Sequence, residues 1–142
     1  MSTIRPPMWF WVLASVLLLW NLLGAYVCVQ QFRLGADAYP PATDYDRQLF
    51  ASMPGWYDWN FAFAEVTGVG GAVALLARRS IAVPLFVLSL IGVVIQFGYV
   101  FTQTDVIAHK GLRTSYFPLF IAAVCLFQIA VARLARRRGW IG

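Results

Sequence analysis

Four runs of largely apolar residues, each long enough to cross about 30 Å of hydrocarbon as a helix, divide this chain. They cover Met8 to about Gln30, Tyr57 to Ala77, Ile81 to about Thr102 and Ser115 to about Leu134. A helix rises about 1.5 Å per residue, so about 20 residues suffice for a crossing. Four such helices use more than half of the 142 residues and leave too little for a separate soluble core. Only 12% of the residues are charged and 61% are hydrophobic, whereas a soluble domain carries about a quarter of its residues as charges. The chain therefore reads as one all-α integral membrane domain, a four-helix bundle with outer loops at 31–56 and 103–114.

The formal charge of +5 would suit a nucleic-acid partner if the charges formed a patch. They sit instead at the ends of the apolar runs, as they do in chains embedded in lipid, so the expected partner is the bilayer and no nucleic acid. Arg5, Arg78, Arg79, Arg133, Arg136, Arg137 and Arg138 fall on one side, and Arg33, Arg47, Lys110 and Arg113 on the other. Cytoplasmic loops carry the excess of Lys and Arg, which predicts that both termini are cytoplasmic. The exposed tail of Arg136, Arg137 and Arg138 suits anionic lipid headgroups. Pro6 and Pro7 precede the first span, while Pro84 and Pro118 occupy first turns, where a missing amide hydrogen costs nothing. Trp9 and Trp11 mark one interface, and Trp56, Trp59, Tyr99 and Tyr116 the other. Trp20, at mid-span, fits neither belt.

The first run is read as a retained span. It exceeds the usual signal-peptide core of about 7 to 15 apolar residues and carries Trp20 and Asn21 in its middle. In the first outer loop, Thr43 and Asp46 are spaced as a capping box, and Tyr45, Leu49 and Met53 then recur every four residues beside Phe50. This predicts a short amphipathic helix at the membrane surface, ended by Pro54-Gly55. The loop's carboxylates outnumber its cations, which favours a cationic over an anionic partner. His109, the one histidine, lacks companions at metal-ligand spacing and reads as a solvated loop residue. Cys28 and Cys125 differ in depth by about 13 Å, too far to bridge, and there is no C-x-x-C. No catalytic constellation, nucleotide loop or cofactor motif is present, so a non-enzymatic protein without cofactor or metal is expected.

Polar and small residues within the runs fall mostly at spacings of three and four. Close approach and interhelical hydrogen bonds in lipid need such residues on one face. Ala14, Asn21, Gly24 and Cys28 form this seam in the first span. Ala64, Gly68 and Ala72 form a small-xxx-small ladder beside Glu65 in the second. Ser89, Gly92, Gln96 and Tyr99 continue it in the third, and Cys125, Gln128 and Ala132 in the fourth. Taking span midpoints as the bilayer centre, Asn21 lies about 3 Å outward, Glu65 about 4 to 5 Å and Gln96 about 7 Å, with Gln128 on the inner half. A buried cluster of Asn21, Glu65 and Gln96, joined by Tyr99, is expected, in a packing or ligand-binding role. Glu65 stands out, because a carboxyl at that depth costs on the order of 3 kcal/mol and marks a functional site by default.

Leu19-Trp20-Asn21-Leu22-Leu23-Gly24, Pro54-Gly55-Trp56, Ala82-Val83-Pro84-Leu85-Phe86 with Ser89-Leu90 and Gln96, and Arg138-Gly139-Trp140 together resemble a family of small four-helix inner-membrane proteins of Gram-negative bacteria. Some of its members are labelled sugar transporters. The resemblance implies the four-span fold, a periplasmic first outer loop and the bacterial inner membrane; it implies no site, and its members often have an apolar residue at the position of Glu65. Two functions remain open on the residues. One is an accessory or interaction subunit of a membrane complex or homo-oligomer. The other is an oligomeric transporter, for a sugar-like molecule or linked to protons, using the level of Asn21, Glu65 and Gln96.

Overall fold

The computed structural model describes residues 4–142, and every regular element in them is helical. The order is α1 (Met8–Leu34), a 3-10 turn (Gly35–Ala38), α2 (Asp44–Ala51), α3 (Trp56–Leu76), α4 (Ala82–Gln103), α5 (Val106–Lys110), a second 3-10 turn (Leu112–Ser115) and α6 (Tyr116–Arg137). Four of these, α1, α3, α4 and α6, are long and apolar enough to cross a membrane. Two differ in length from the sequence reading. Helix α1 continues one turn past Gln30, because the side chain of Gln31 finds partners on α3 and in the loop. It stops at Gly35, whose φ of 59° suits glycine. Helix α6 runs on to Arg137, since exposed arginines do not interrupt a helix, and α3 and α4 shift by a residue. Residues 103–114, expected as a loop, are themselves folded into α5 and the start of a 3-10 turn, which no periodic pattern announces.

Helix α3 packs along α4 and α1, and α4 along α6. Glycine sets the distance at two contacts between α3 and α4. A Cβ on Gly92 would stand 2.9 Å from the Cβ of Ala64, and one on Gly71 would stand 2.6 Å from the buried ring of Phe86. Helices α1 and α6 meet differently, through side chains reaching across a wider gap: Asn21 to Gln128, and Trp20 to Phe120 with ring centroids 5.6 Å apart.

A dry core of Phe10, Leu17, Leu75, Phe86 and Val131 fills the end of the assembly that holds the α3–α4 turn. Arg78 in that turn takes a φ of 59°, a left-handed conformation costly for a side chain with a Cβ. Its guanidinium compensates, with Nε donating to the Trp140 carbonyl at 2.9 Å and a terminal nitrogen donating to the Ile4 carbonyl at 2.7 Å. The Ser80 amide donates to Gly142 and the Gly142 amide to Arg78, at 2.8 and 3.0 Å. Residues 4 and 140–142 are thereby fastened to the same end as the turn.

The other end is covered by α2 and α5. The predicted capping box is present: the Asp46 amide donates to Thr43 Oγ1 at 3.2 Å and the Thr43 amide donates to Asp46 Oδ2 at 2.9 Å. Helix α2 ends at Ala51, before Pro54. Tyr45, Leu49 and Met53 pack on Tyr57, Val100 and Val106. The Tyr45 hydroxyl donates to Asp105 at 2.6 Å, the Tyr45 ring stacks on exposed His109 at 3.8 Å, and Lys110 pairs with Asp46. His109 is thus a stacking partner as well as a solvated residue.

Burial alone pushes the Asp46 carboxyl up, but Lys110 and the amide and hydroxyl of Thr43 outweigh it and hold the group below its ordinary 3.8. A carboxylate with a lowered value contributes its stability above the ordinary value and loses it as pH falls through the lowered one. The contact between α2 and α5 is therefore expected to hold at neutral pH and to loosen only in strong acid. Asp46→Asn at neutral pH should reproduce the loosened state, with faster hydrogen exchange across 43–51 and 105–110. Unchanged exchange there would contradict the assignment.

Candidate functional site

A cavity of about 300 Å³ lies between α1, α3, α4 and α6 on the side of the core nearer α2. Its position follows from the gap between α1 and α6, which small side chains on α1 and α3 do not fill. On α1, Asn21, Gly24, Cys28 and Gln31 recur at spacings of three and four, which places them on one face. The same stripe that brings α1 against α3 thus continues past the expected end of the span, to Gln31.

Asn21 and Gln128 close the inner end. Asn21 Nδ2 donates to Gln128 Oε1 at 2.5 Å and to the Leu17 carbonyl at 2.7 Å. Asn21 Oδ1 occupies the space that a side chain on Gly68 would need, so glycine at 68 is what admits the amide. On the far wall Ser89 Oγ donates to the Ala64 carbonyl at 2.8 Å. Asn60 Nδ2 donates to Gln96 Oε1 at 2.8 Å and to the Gly92 carbonyl at 2.9 Å. Gln31 lies at the outer end, donating to Asp58 Oδ1 at 2.6 Å and accepting from the Tyr39 hydroxyl at 2.5 Å. Burial and the neighbouring carboxylates push the Tyr39 phenol well up, so its proton stays in that bond at neutral pH.

Glu65 differs from all of these. Its carboxyl lies against Gly24, in the volume a Cβ there would take. It makes no hydrogen bond or ion pair with any described residue. The lining holds no Lys, Arg or His. The rest of the lining is mostly apolar and includes the aromatic residues Trp20, Tyr57, Phe61, Phe97 and Phe117.

Asn21, Glu65 and Gln96 thus share one cavity but are not hydrogen-bonded to one another. Two corrections concern their neighbours. Gln128 stands level with Asn21, because α1 and α6 both extend beyond their expected ends and their midpoints move with them. Tyr99 lies outside the lining, in an aromatic group with Trp56 at 5.2 Å and Tyr57 at 6.3 Å. Of the packing seam, Ala64, Gly68, Ala72, Ser89 and Gly92 are all buried. Arg136, Arg137 and Arg138 are exposed at the end of α6.

Sequence reasoning passed over Asn60, Gln31 and the role of Trp20. Asn60 precedes Ala64 by one turn and continues its stripe, and Gln31 continues that of Asn21, so periodicity could have found both. Trp20 fits no interfacial belt because it turns to the cavity and to Phe120. Among the described residues no group of His, Cys, Asp or Glu could hold a metal, and Cys28 and Cys125 are buried free thiols. Comparison with protein-family models, curated proteins and solved structures finds no match.

Proposed function

We propose that this protein binds a small molecule within the membrane and releases it across the α1–α6 wall, as a non-enzymatic binding or transport protein. The observation that carries this reading is the cavity of about 300 Å³, at the lower bound of the range typical of small-molecule sites, about 300–1,000 Å³. The chemistry of the wall also suits binding, with one carboxyl set among mostly apolar side chains.

In this reading the four apolar helices form a membrane four-helix bundle. Both termini are cytoplasmic, as the excess of arginine on their side supports. The compartment is the bacterial inner membrane, on the resemblance given by the sequence. The α2 and α5 cap then faces the periplasm. The cavity is built from a single copy, so binding needs no second chain. Release needs α1 to part from α6 beside the cavity, where the side-chain pairs Asn21–Gln128 and Trp20–Phe120 bridge them, while the core below holds them together. The accessory-subunit reading has no comparable support, because the exposed apolar faces of α1 and α6 are what lipid alone would cover.

Ile121 reaches from α6 towards Ala64 and Val93 and lines the cavity. Ile121→Trp should fill it. The expected result is a small molecule that stabilises the wild-type protein against heat and leaves the filled variant unmoved.

A further inference from the structure

We propose that the ligand of this cavity is a monovalent organic cation with a compact apolar body, for which Glu65 supplies the counter-charge. The inference rests on the binding reading above and adds the chemical class of the ligand.

Hydrogen-bond accounting is the first argument. Asn21 is engaged with Gln128, Gln96 with Asn60, Ser89 with the Ala64 carbonyl, and Gln31 with Asp58 and Tyr39. Glu65 differs in making no hydrogen bond or ion pair with any described residue. A sugar would bring several hydroxyls against a lining that is mostly apolar, where most of them would lose the hydrogen bonds they make in water. A ligand with one polar group and an otherwise apolar surface strands nothing.

Charge is the second. The lining offers no cation, and a second carboxylate, Asp58, stands behind Gln31 at the outer end. An anionic ligand would meet only like charge, while a cation would supply the countercharge that a carboxylate needs in a poorly solvated site. Aromatic side chains in the lining, among them Trp20, Phe61 and Phe97, suit the same kind of ligand, because a ring face attracts a cation placed within about 6 Å of it. Size is the third. A cavity of about 300 Å³, at the small end of ligand sites, suits a compact single-ring amine or quaternary ammonium.

Three probes sharing a phenylethyl body test this on the wild-type protein in zwitterionic nanodiscs: trimethyl(2-phenylethyl)ammonium, its neutral carbon isostere 3,3-dimethylbutylbenzene, and the anion 3-phenylpropanoate. Calorimetric titration should give at least tenfold tighter binding for the cation than for the isostere, and none for the anion. Glu65→Gln should remove the cation's advantage and leave the isostere's affinity unchanged. An isostere that equals or exceeds the cation overturns the proposal; if Ile121→Trp abolishes that isostere's binding, the binding reading stands without it. Failure of all three probes to bind the wild type overturns both. A second measurement needs no variant: dicyclohexylcarbodiimide labels intramembrane carboxyls, and mass spectrometry follows its addition to Glu65. The ammonium probe should slow that labelling at least fivefold and the anion should not; labelling at the same rate with the ammonium probe overturns the proposal.

Discussion

Gly92→Leu is expected to destabilise the protein by about 3 kcal/mol, at the upper end of what overpacking a tight contact costs. The reason is backbone geometry. At this position a Cβ would stand 2.9 Å from the Cβ of Ala64 and 3.3 Å from its Cα, so a rigid helix, and not a movable side-chain tip, must give way. The displaced contact is the one that Ser89 and Asn60 span with their hydrogen bonds to the Ala64 and Gly92 carbonyls. Gly98→Leu is the matched control on the same helix, because nothing lies within 4 Å of a Cβ there. Detergent-denaturation midpoints should fall sharply for the first and stay at or above the wild-type value for the second. Equal effects would mean that α3 and α4 do not meet as described.

The second large effect is expected at the inner end of the cavity. Asn21→Leu removes the donor to Gln128, whose amide is almost wholly buried at 1% exposure, and leaves a polar group stranded. A buried acceptor without a partner costs about 1–3 kcal/mol. Gln128→Leu added to Asn21→Leu removes the stranded group, so the double variant should regain at least half of what the single one loses. Additive losses in that cycle would show that the two amides do not bond to each other.

Much of this architecture was legible because it depends on local pattern. Run length and the placement of arginines mark the four apolar helices, and the spacing of Thr43 and Asp46 marks the start of α2 through a contact spanning three residues. The small-residue ladder of Ala64, Gly68 and Ala72 was visible for the same reason. The depth arithmetic also brought Asn21, Glu65 and Gln96 to one region, since rise per residue is nearly constant in a helix.

The remainder depends on pairings between distant residues. Nothing in the neighbourhood of Gln31 announces that Asp58 and Tyr39 will satisfy it, so the end of α1 was placed a turn early. The partner of Asn21 depends on the relative height of α1 and α6, and small errors at their ends moved Gln128 to the wrong level. Tyr99 lies one turn from Gln96, yet its ring joins Trp56 and Tyr57, a choice made by packing at the outer ends of α3 and α4. The cavity itself left no sequence signal, because it arises from the wide approach of α1 to α6.

The most direct test of the account is the heat-unfolding midpoint of the wild type and of Ile121→Trp, in the same nanodiscs, across one panel of small cationic, neutral and anionic molecules. A ligand at about one hundred times its Kd stabilises its target by about 2.7 kcal/mol, a shift of several degrees for a domain of this size. Such a shift is expected in the wild type with at least one member of the panel, and none with that member in the filled variant. Identical responses of the two proteins across the whole panel would contradict it.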